Sequence, residues 1–321
     1  MSYTHLTSTD RTRIATLKRA GHTQLEIARQ LGRAHTTISR ELGRNCTGRT
    51  TYNARTAKQK TAARRLSANQ RFRKLIPGSG LVKYVKSRIK RYWSPEQIAG
   101  RLQYETGHRV IGYLTIYRYV LAHAGLKKYL RIQKPYRRHW GTKKREQIRD
   151  AASRRWIDER PEAANNRTRI GDWEGDTVLG IPGRARLLTY ADRKSGKAKA
   201  IKVPGGEGLA EAVADRTVGW LRKVPKAKRH TITYDNGTEF GQHEYIEDRS
   251  SLPVYFAHPY HSWERGTNEN TNGLYRQFFP KKADLDPVSQ REIDKATRLL
   301  NTRPRKRHQY RTPDEVFRDG K

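Results

Sequence analysis

Gly171-Asp-Trp-Glu-Gly-Asp-Thr-Val-Leu-Gly180 packs three carboxylates, Asp172, Glu174 and Asp176, into five residues. A β-strand has a side-chain period of two, so an extended chain here points all three to one face. Like charges so arranged repel one another unless a cation or water offsets them. Two later segments supply acids of the same kind. They are Thr233-Tyr-Asp-Asn-Gly-Thr-Glu-Phe240, with Asp235, and Trp263-Glu-Arg-Gly-Thr-Asn-Glu-Asn-Thr-Asn-Gly273, with Glu269. Asp235 ends an apolar strand and precedes Asn-Gly, a turn sequence. Strand ends are where α/β folds expose ligands. Thirty-three residues separate Asp235 from Glu269, room for a helix, a strand at 254–257 and a loop that delivers Glu269 on a helix beside the sheet. Hard oxygen ligands favour Mg²⁺ or Mn²⁺ over zinc. One carboxylate from each segment is therefore expected around two divalent ions, which together can hold the attacking and leaving oxygens of a phosphodiester displacement. Periodicity does not rank Asp172, Glu174 and Asp176 against each other.

Composition points to what reaches that site. The 321 residues include 68 Lys and Arg against 31 Asp and Glu, a net charge of +37 that implies a polyanionic partner. Residues 1–170 hold 40 basic and 10 acidic residues, whereas 171–321 hold 28 and 21. A strongly basic front half thus precedes a nearly balanced one, the pattern of a DNA-binding region joined to a catalytic region. Nothing resembles an 18-residue apolar run, a signal peptide or a lipidation motif, so a membrane is not the expected partner. The single cysteine, Cys46, excludes an intramolecular disulfide framework and fits a reducing, cytoplasmic setting.

In the front half, Asp10 to Ala20 reads as a helix stopped by Gly21. Thr23-Gln-Leu-Glu26 is a capping box opening a second helix, with Ile27, Ala28 and Leu31 inward. After Gly32-Arg-Ala, His35 to Leu42 forms a third, with Ile38 and Leu42 inward. A small Ala, a Gly turn and an Ile at these offsets make a helix-turn-helix. It presents His35, Thr36, Thr37, Ser39 and Arg40 outward, followed by Arg44, residue types suited to base edges and phosphates. Residues 49–92 are basic with interleaved aromatics and are broken at Pro77-Gly-Ser-Gly80. Ser94-Pro-Glu-Gln97 starts another helix, and Tyr113 to Ala122 forms the next, with Thr115, Tyr117 and Arg118 facing out. Together they read as a second helix-turn-helix. Lys127 to Arg169 reads as a basic linker with a helix near 147–157. From 171 onward, three strands (173–179, 186–190, 198–203), a helix (209–221), a strand at 231–234, a strand at 254–257 and closing helices form an α/β sheet. The expected domains are 1–48, 49–125, a linker at 126–166, and 167–321: all-α DNA-binding modules followed by an α/β catalytic domain.

Several stretches match a known family. Glu26-Ile-Ala-Arg-Gln-Leu-Gly-Arg33, Thr37-Ile-Ser-Arg-Glu41, Ser94-Pro-Glu-Gln-Ile-Ala99, Trp173-Glu-Gly-Asp176, Asp235-Asn-Gly237, Arg265-Gly-Thr-Asn-Glu-Asn-Thr-Asn-Gly273 and the tail motifs Leu300–Arg307 and Thr312–Phe317 resemble insertion-sequence transposases of the IS30 type. That family belongs to the DDE superfamily, with a ribonuclease-H-like catalytic core. The resemblance implies Asp176, Asp235 and Glu269 as the catalytic, metal-binding triad and Mg²⁺-dependent cleavage and strand transfer. It also implies terminal inverted repeats and target DNA as substrates, and a homodimer or higher multimer on DNA in the bacterial cytoplasm, associated with the nucleoid. Asp172 and Glu174 then become neighbours of the site or surface residues. On the helix of Glu269, Asn272 and Arg276 share its face and are expected near the scissile DNA. A transcriptional regulator would explain the helix-turn-helix signals but not the carboxylates. A ribonuclease acting on RNA–DNA hybrids would explain the carboxylates but not the reading helices.

Overall fold

The computed structural model describes residues 5–46, 52–70, 73–131, 153–259 and 261–320. The chain folds as two compact units, Met1–Pro77 and Gly78–Lys321.

In the first unit, α1 (Ser8–Arg19), α2 (Gln24–Leu31) and α3 (His35–Asn45) are set by local chemistry at their ends. Thr7 with Asp10, and Thr23 with Glu26, each close a reciprocal capping box that satisfies otherwise orphaned backbone N–H groups. Gly32 ends α2 with φ +60°, a left-handed conformation that costs glycine little. Ile14, Ile27, Ala28, Ile38 and Leu42 form one core with Tyr52 and Ala57, the latter from α4 (Ala54–Gln70). Beside it Arg11 donates to Glu41 at 2.8 Å, and the Tyr52 hydroxyl donates to the same carboxylate at 2.9 Å. A buried charge is thereby paired and hydrogen-bonded, as burial demands.

The second unit begins with α5 (Gly80–Lys90), α6 (Pro95–Thr106), α7 (Tyr113–Leu121) and the short α8 (Ala124–Lys127). Ser94 and Gln97 make the capping box of α6, with Pro95 at its first turn. This helical segment is docked on the C-terminal tail. The ring of Tyr310 lies against the backbone of Gly100, where a Cβ would fall 2.2 Å from the ring. Arg101 holds Glu315 through two bonds of 2.7 and 2.8 Å.

The sheet follows as β1 (Asp172–Leu179), β2 (Arg186–Asp192), β3 (Ala198–Val203), β4 (Thr231–Tyr234) and β5 (Val254–Phe256), in spatial order β3-β2-β1-β4-β5. The β1–β2 and β2–β3 pairs are antiparallel, and β1–β4 and β4–β5 are parallel. Just before it comes α9 (Glu162–Asn165). One face packs α10 (Leu209–Leu221) and α11 (His243–Ser250) on Trp173, Tyr190, Ile232 and Tyr234. The other packs α12 (Gly266–Tyr275) and α13 (Gln290–Asn301) on Val178, Leu187 and Ala200. The closing helix is α14 (Pro313–Asp319).

One difference from the sequence reading concerns the linker. Residues 153–166 are packed on the sheet: Trp156 bridges Phe256 at the edge of β5, and the buried Arg160 donates to Thr233 at 3.0 Å. Arginine is common in linkers, but its five donors on a rigid fork let Arg160 sit inside, where it also donates to the Asn165 side chain at 3.0 Å. The helix read near 147–157 falls largely outside the described residues; a 3₁₀ turn spans Ile157–Glu159.

Candidate active site

Asp172, Glu174 and Asp176 do share one face of β1, the face covered by α12. The first two are fully buried, each with a relative exposure of 0%. Asp172 accepts from Arg169 at 2.9 and 3.1 Å and from the Thr231 hydroxyl at 2.8 Å. Glu174 accepts from Arg193 on one oxygen and from the backbone N–H of Asn268 on the other, the latter at 2.8 Å. Neither is a surface residue, and both are satisfied by groups from the segment before β1, β4, the β2–β3 turn or the start of α12. Burial lowers the pKa of Arg193, while its partner Glu174 pulls the other way.

Asp176 lies further along the strand, where the face opens. Its carboxylate accepts from the Thr177 N–H at 2.7 Å and from the Asn272 side-chain amide at 2.8 Å. Asp235 follows the end of β4, the parallel neighbour of β1. Arg265 joins the two acids. Its guanidinium donates to Asp235 at 2.9 Å and to the Gly175 carbonyl at 3.2 Å, and it lies 3.7 Å from Asp176. Burial pushes the Asp176 carboxyl up to about 6; Arg265 draws it down, and the negative charges of Asp235 and Glu239 add to the rise. Glu239 accepts from the Thr177 hydroxyl at 2.7 Å and so rims the same opening.

Glu269 is exposed on α12 and makes no hydrogen bond or ion pair among the described residues. The fold therefore brings Asp176 and Asp235 together through a shared cation, while Glu269 stands clear of both. Its placement is still informative. Arg265, Glu269, Asn272 and Arg276 recur at intervals of four, three and four, the spacing of one helical face. Arg265 and Asn272 touch Asp176, and Arg276 donates to the Leu179 carbonyl at the end of β1 at 2.7 Å. Glu269 is thus the unengaged member of a stripe laid along β1. Arg265 was not singled out from sequence, though its position four residues before Glu269 on that stripe was the available signal.

The residues proposed for DNA contact divide by element. His35, Thr36, Ser39, Arg40 and Arg44 on α3 are exposed, and Thr37 is half-buried. Thr115, Tyr117 and Arg118 on α7 are exposed, opposite the buried Ile116 and Val120. Asn272 and Arg276 are instead engaged within the protein, as described above. No helix among the described residues is long and apolar enough to cross a membrane.

These features define a helix-turn-helix protein whose second unit gathers carboxylates at the open end of a mixed sheet. Residues 2–45 match a family model described as a helix-turn-helix domain. The chain is 38% identical over 320 residues to a transposase for insertion sequence element IS4351 of Bacteroides fragilis, covering 98% of this chain and 95% of that protein. It is 36% identical over 292 residues to the transposase for IS1086 of Cupriavidus metallidurans, covering 85% and 82%. It is 33% identical over 289 residues to the transposase for IS30A of Escherichia coli K12, covering 85% and 73%. The chain belongs to the IS30 family of insertion-sequence transposases.

Proposed function

We propose that the chain is a DNA transposase that binds the terminal inverted repeats of its element and cuts and rejoins DNA with Mg²⁺-dependent chemistry at Asp176, Asp235 and Glu269. The observation that carries this reading is the convergence of Asp176 and Asp235 at adjacent strand ends, with the free carboxylate of Glu269 on the helix laid across the same face. The strand order, three antiparallel strands followed by two parallel ones, supports a ribonuclease-H-like unit.

The donor set fits Mg²⁺. It consists of hard carboxylate oxygens, and the single guanidinium of Arg265 offsets only part of the charge of the two aspartates and Glu239. Asp176, Asp235 and Glu269 would hold the ions, probed equally well with Mn²⁺. Bound there, such ions supply the Lewis acidity that activates a water or a 3′-hydroxyl and stabilises the leaving oxygen. The protein's own residues do the rest. Asn272 orients the Asp176 carboxylate, and the Thr177 N–H fixes its other oxygen. Arg265 keeps the two aspartates compatible before the ions and DNA arrive. Glu269, unpaired, is free to close on the site. The exposed faces of α3 and α7, and the basic front half, bring in the duplex, whose phosphates dominate affinity. A homodimer or larger assembly on DNA lets two element ends be processed together.

The test is a strand-transfer assay with terminal-repeat DNA. Asp176→Asn, Asp235→Asn and Glu269→Gln should each cut activity by at least about 10²-fold, the scale of a lost charge-stabilising group, while DNA binding persists. Full activity in all three variants would refute the assignment. In the first unit, Arg40→Ala should weaken binding to terminal repeats by about 1–3 kcal/mol and binding to random duplex by less. Equal losses would make Arg40 a phosphate contact.

A further inference from the structure

The turn between β5 and α12 carries a second cluster that the reaction does not use. His258, His261 and Glu264 each offer one ligand atom, and these atoms all lie within 4.8 Å of one another. Their origin is the local backbone. The N–H of His261 donates to the carbonyl of His258 at 3.1 Å, and the N–H of Glu264 to that of His261 at 3.0 Å. The first bond closes a turn and the second opens the 3₁₀ segment Ser262–Arg265, so a three-residue spacing recurs and gathers the side chains at 258, 261 and 264. The spacing His-x₂-His-x₂-Glu therefore converges where an α-helix would fan it out.

The groups behind the cluster are arranged as those behind metal ligands are. His258 turns Nδ1 toward Glu264 at 3.0 Å, and its Nε2 lies 2.9 Å from the Asp158 carboxylate. His261 is held through Nδ1 by the Pro259 carbonyl at 2.9 Å, which leaves Nε2 as its ligand atom. Glu264 accepts the His258 backbone N–H on its other oxygen at 2.8 Å. Ligating histidines characteristically give their second nitrogen to a carboxylate or a carbonyl, which sets tautomer and ring orientation. Trp156 stacks on His258 with rings parallel to within 1°, and Trp263 meets His261 edge-on at 4.5 Å between centroids.

We propose that His258, His261 and Glu264 form a zinc site, with a water completing the tetrahedron and Asp158 orienting His258. Two imidazoles and one carboxylate suit Zn²⁺ rather than the all-oxygen preference of Mg²⁺. The ion pins the turn that leads directly into Arg265 and α12, and so steadies the helix that carries Glu269. The site stands whether or not the catalytic assignment holds.

The experiment is equilibrium dialysis of the full chain, first stripped with chelator, against micromolar Zn²⁺ in excess Mg²⁺. Zinc per chain is read by atomic absorption. Wild type should retain one equivalent, and so should Asp235→Asn. His261→Ala and Glu264→Gln should lose it. Asp158→Asn, at a solvent-facing position that leaves folding intact, should weaken zinc binding by about 10–100-fold. Retention of no zinc by wild type would overturn the proposal. So would retention by His261→Ala and Glu264→Gln equal to wild type, or an Asp158→Asn affinity unchanged from wild type.

Discussion

At its inner end, β1 carries Asp172 and Glu174, wholly buried and each met by a guanidinium and a second donor. Two residues further on, the same face of the same strand carries Asp176, partly open to solvent and shared with Asp235 and Arg265. All three positions are carboxylates in one register. What separates them is what the neighbouring elements offer. Dedicated partners convert the inner pair into part of the protein's framework, whereas Asp176 is left with an excess of negative charge around it. A carboxylate buried with its own partner is structural; one that shares a partner with a second acid keeps part of its charge uncompensated.

Three substitutions probe that contrast. Glu174→Ala should have the largest effect on stability. It leaves Arg193 buried without its charge partner, a loss of about 3–5 kcal/mol, measurable by urea denaturation. A loss under about 1 kcal/mol would mean that Arg193 finds water or another acceptor. Asp176→Asn should act in the opposite sense when measured in chelator. Because the folded carboxyl is pushed up to about 6 from an ordinary 3.8, the wild type holds its proton more tightly when folded. Its stability therefore falls as pH rises from about 4 through 6. The amide does not titrate, so the variant should gain on wild type by roughly 2 kcal/mol between pH 4 and 7. A difference independent of pH would remove the case for crowded charge at this position. Asp172→Asn should have the smallest effect, about 1 kcal/mol. The amide oxygen still accepts from Thr231, and Arg169 is exposed enough to be rehydrated. If it matched Glu174→Ala, exposure of the partner would not be what sets the cost.

Much of the local structure was legible because both halves of each signal lie within a few residues. Thr23 with Glu26, and Ser94 with Gln97, announce helix starts that their own side chains then make. The alternation along β1 announced the shared acidic face. The partners were not legible. Arg193 reaches Glu174 from the β2–β3 turn and Arg265 reaches Asp235 from the start of α12, pairings that only the tertiary fold creates. From sequence Asp172 and Glu174 read as neighbours of the site or surface residues; both are fully buried. The ranking of Asp176 above them rests on the family resemblance; what the structure adds is that Asp172 and Glu174 each have a dedicated cation. Residues 153–166 were read as linker because their composition is basic, yet Arg160 is an interior donor.

The docking of α6 on the tail carries a consequence for how the second unit is completed. Gly100 meets Tyr310, and Arg101 is clasped by Glu315. Residues near position 100 thus wait for residues near 310 before their contacts are complete. Desolvation raises the Glu315 carboxyl, but its bonds to Arg101 and the Thr312 N–H outweigh this and hold it at about 2. A polypeptide released early, by a nonsense codon or a stalled ribosome upstream of Thr312, exposes the Arg101 side chain and the bare flank of α6. The second unit is thus closed by contacts between its first helices and its last residues.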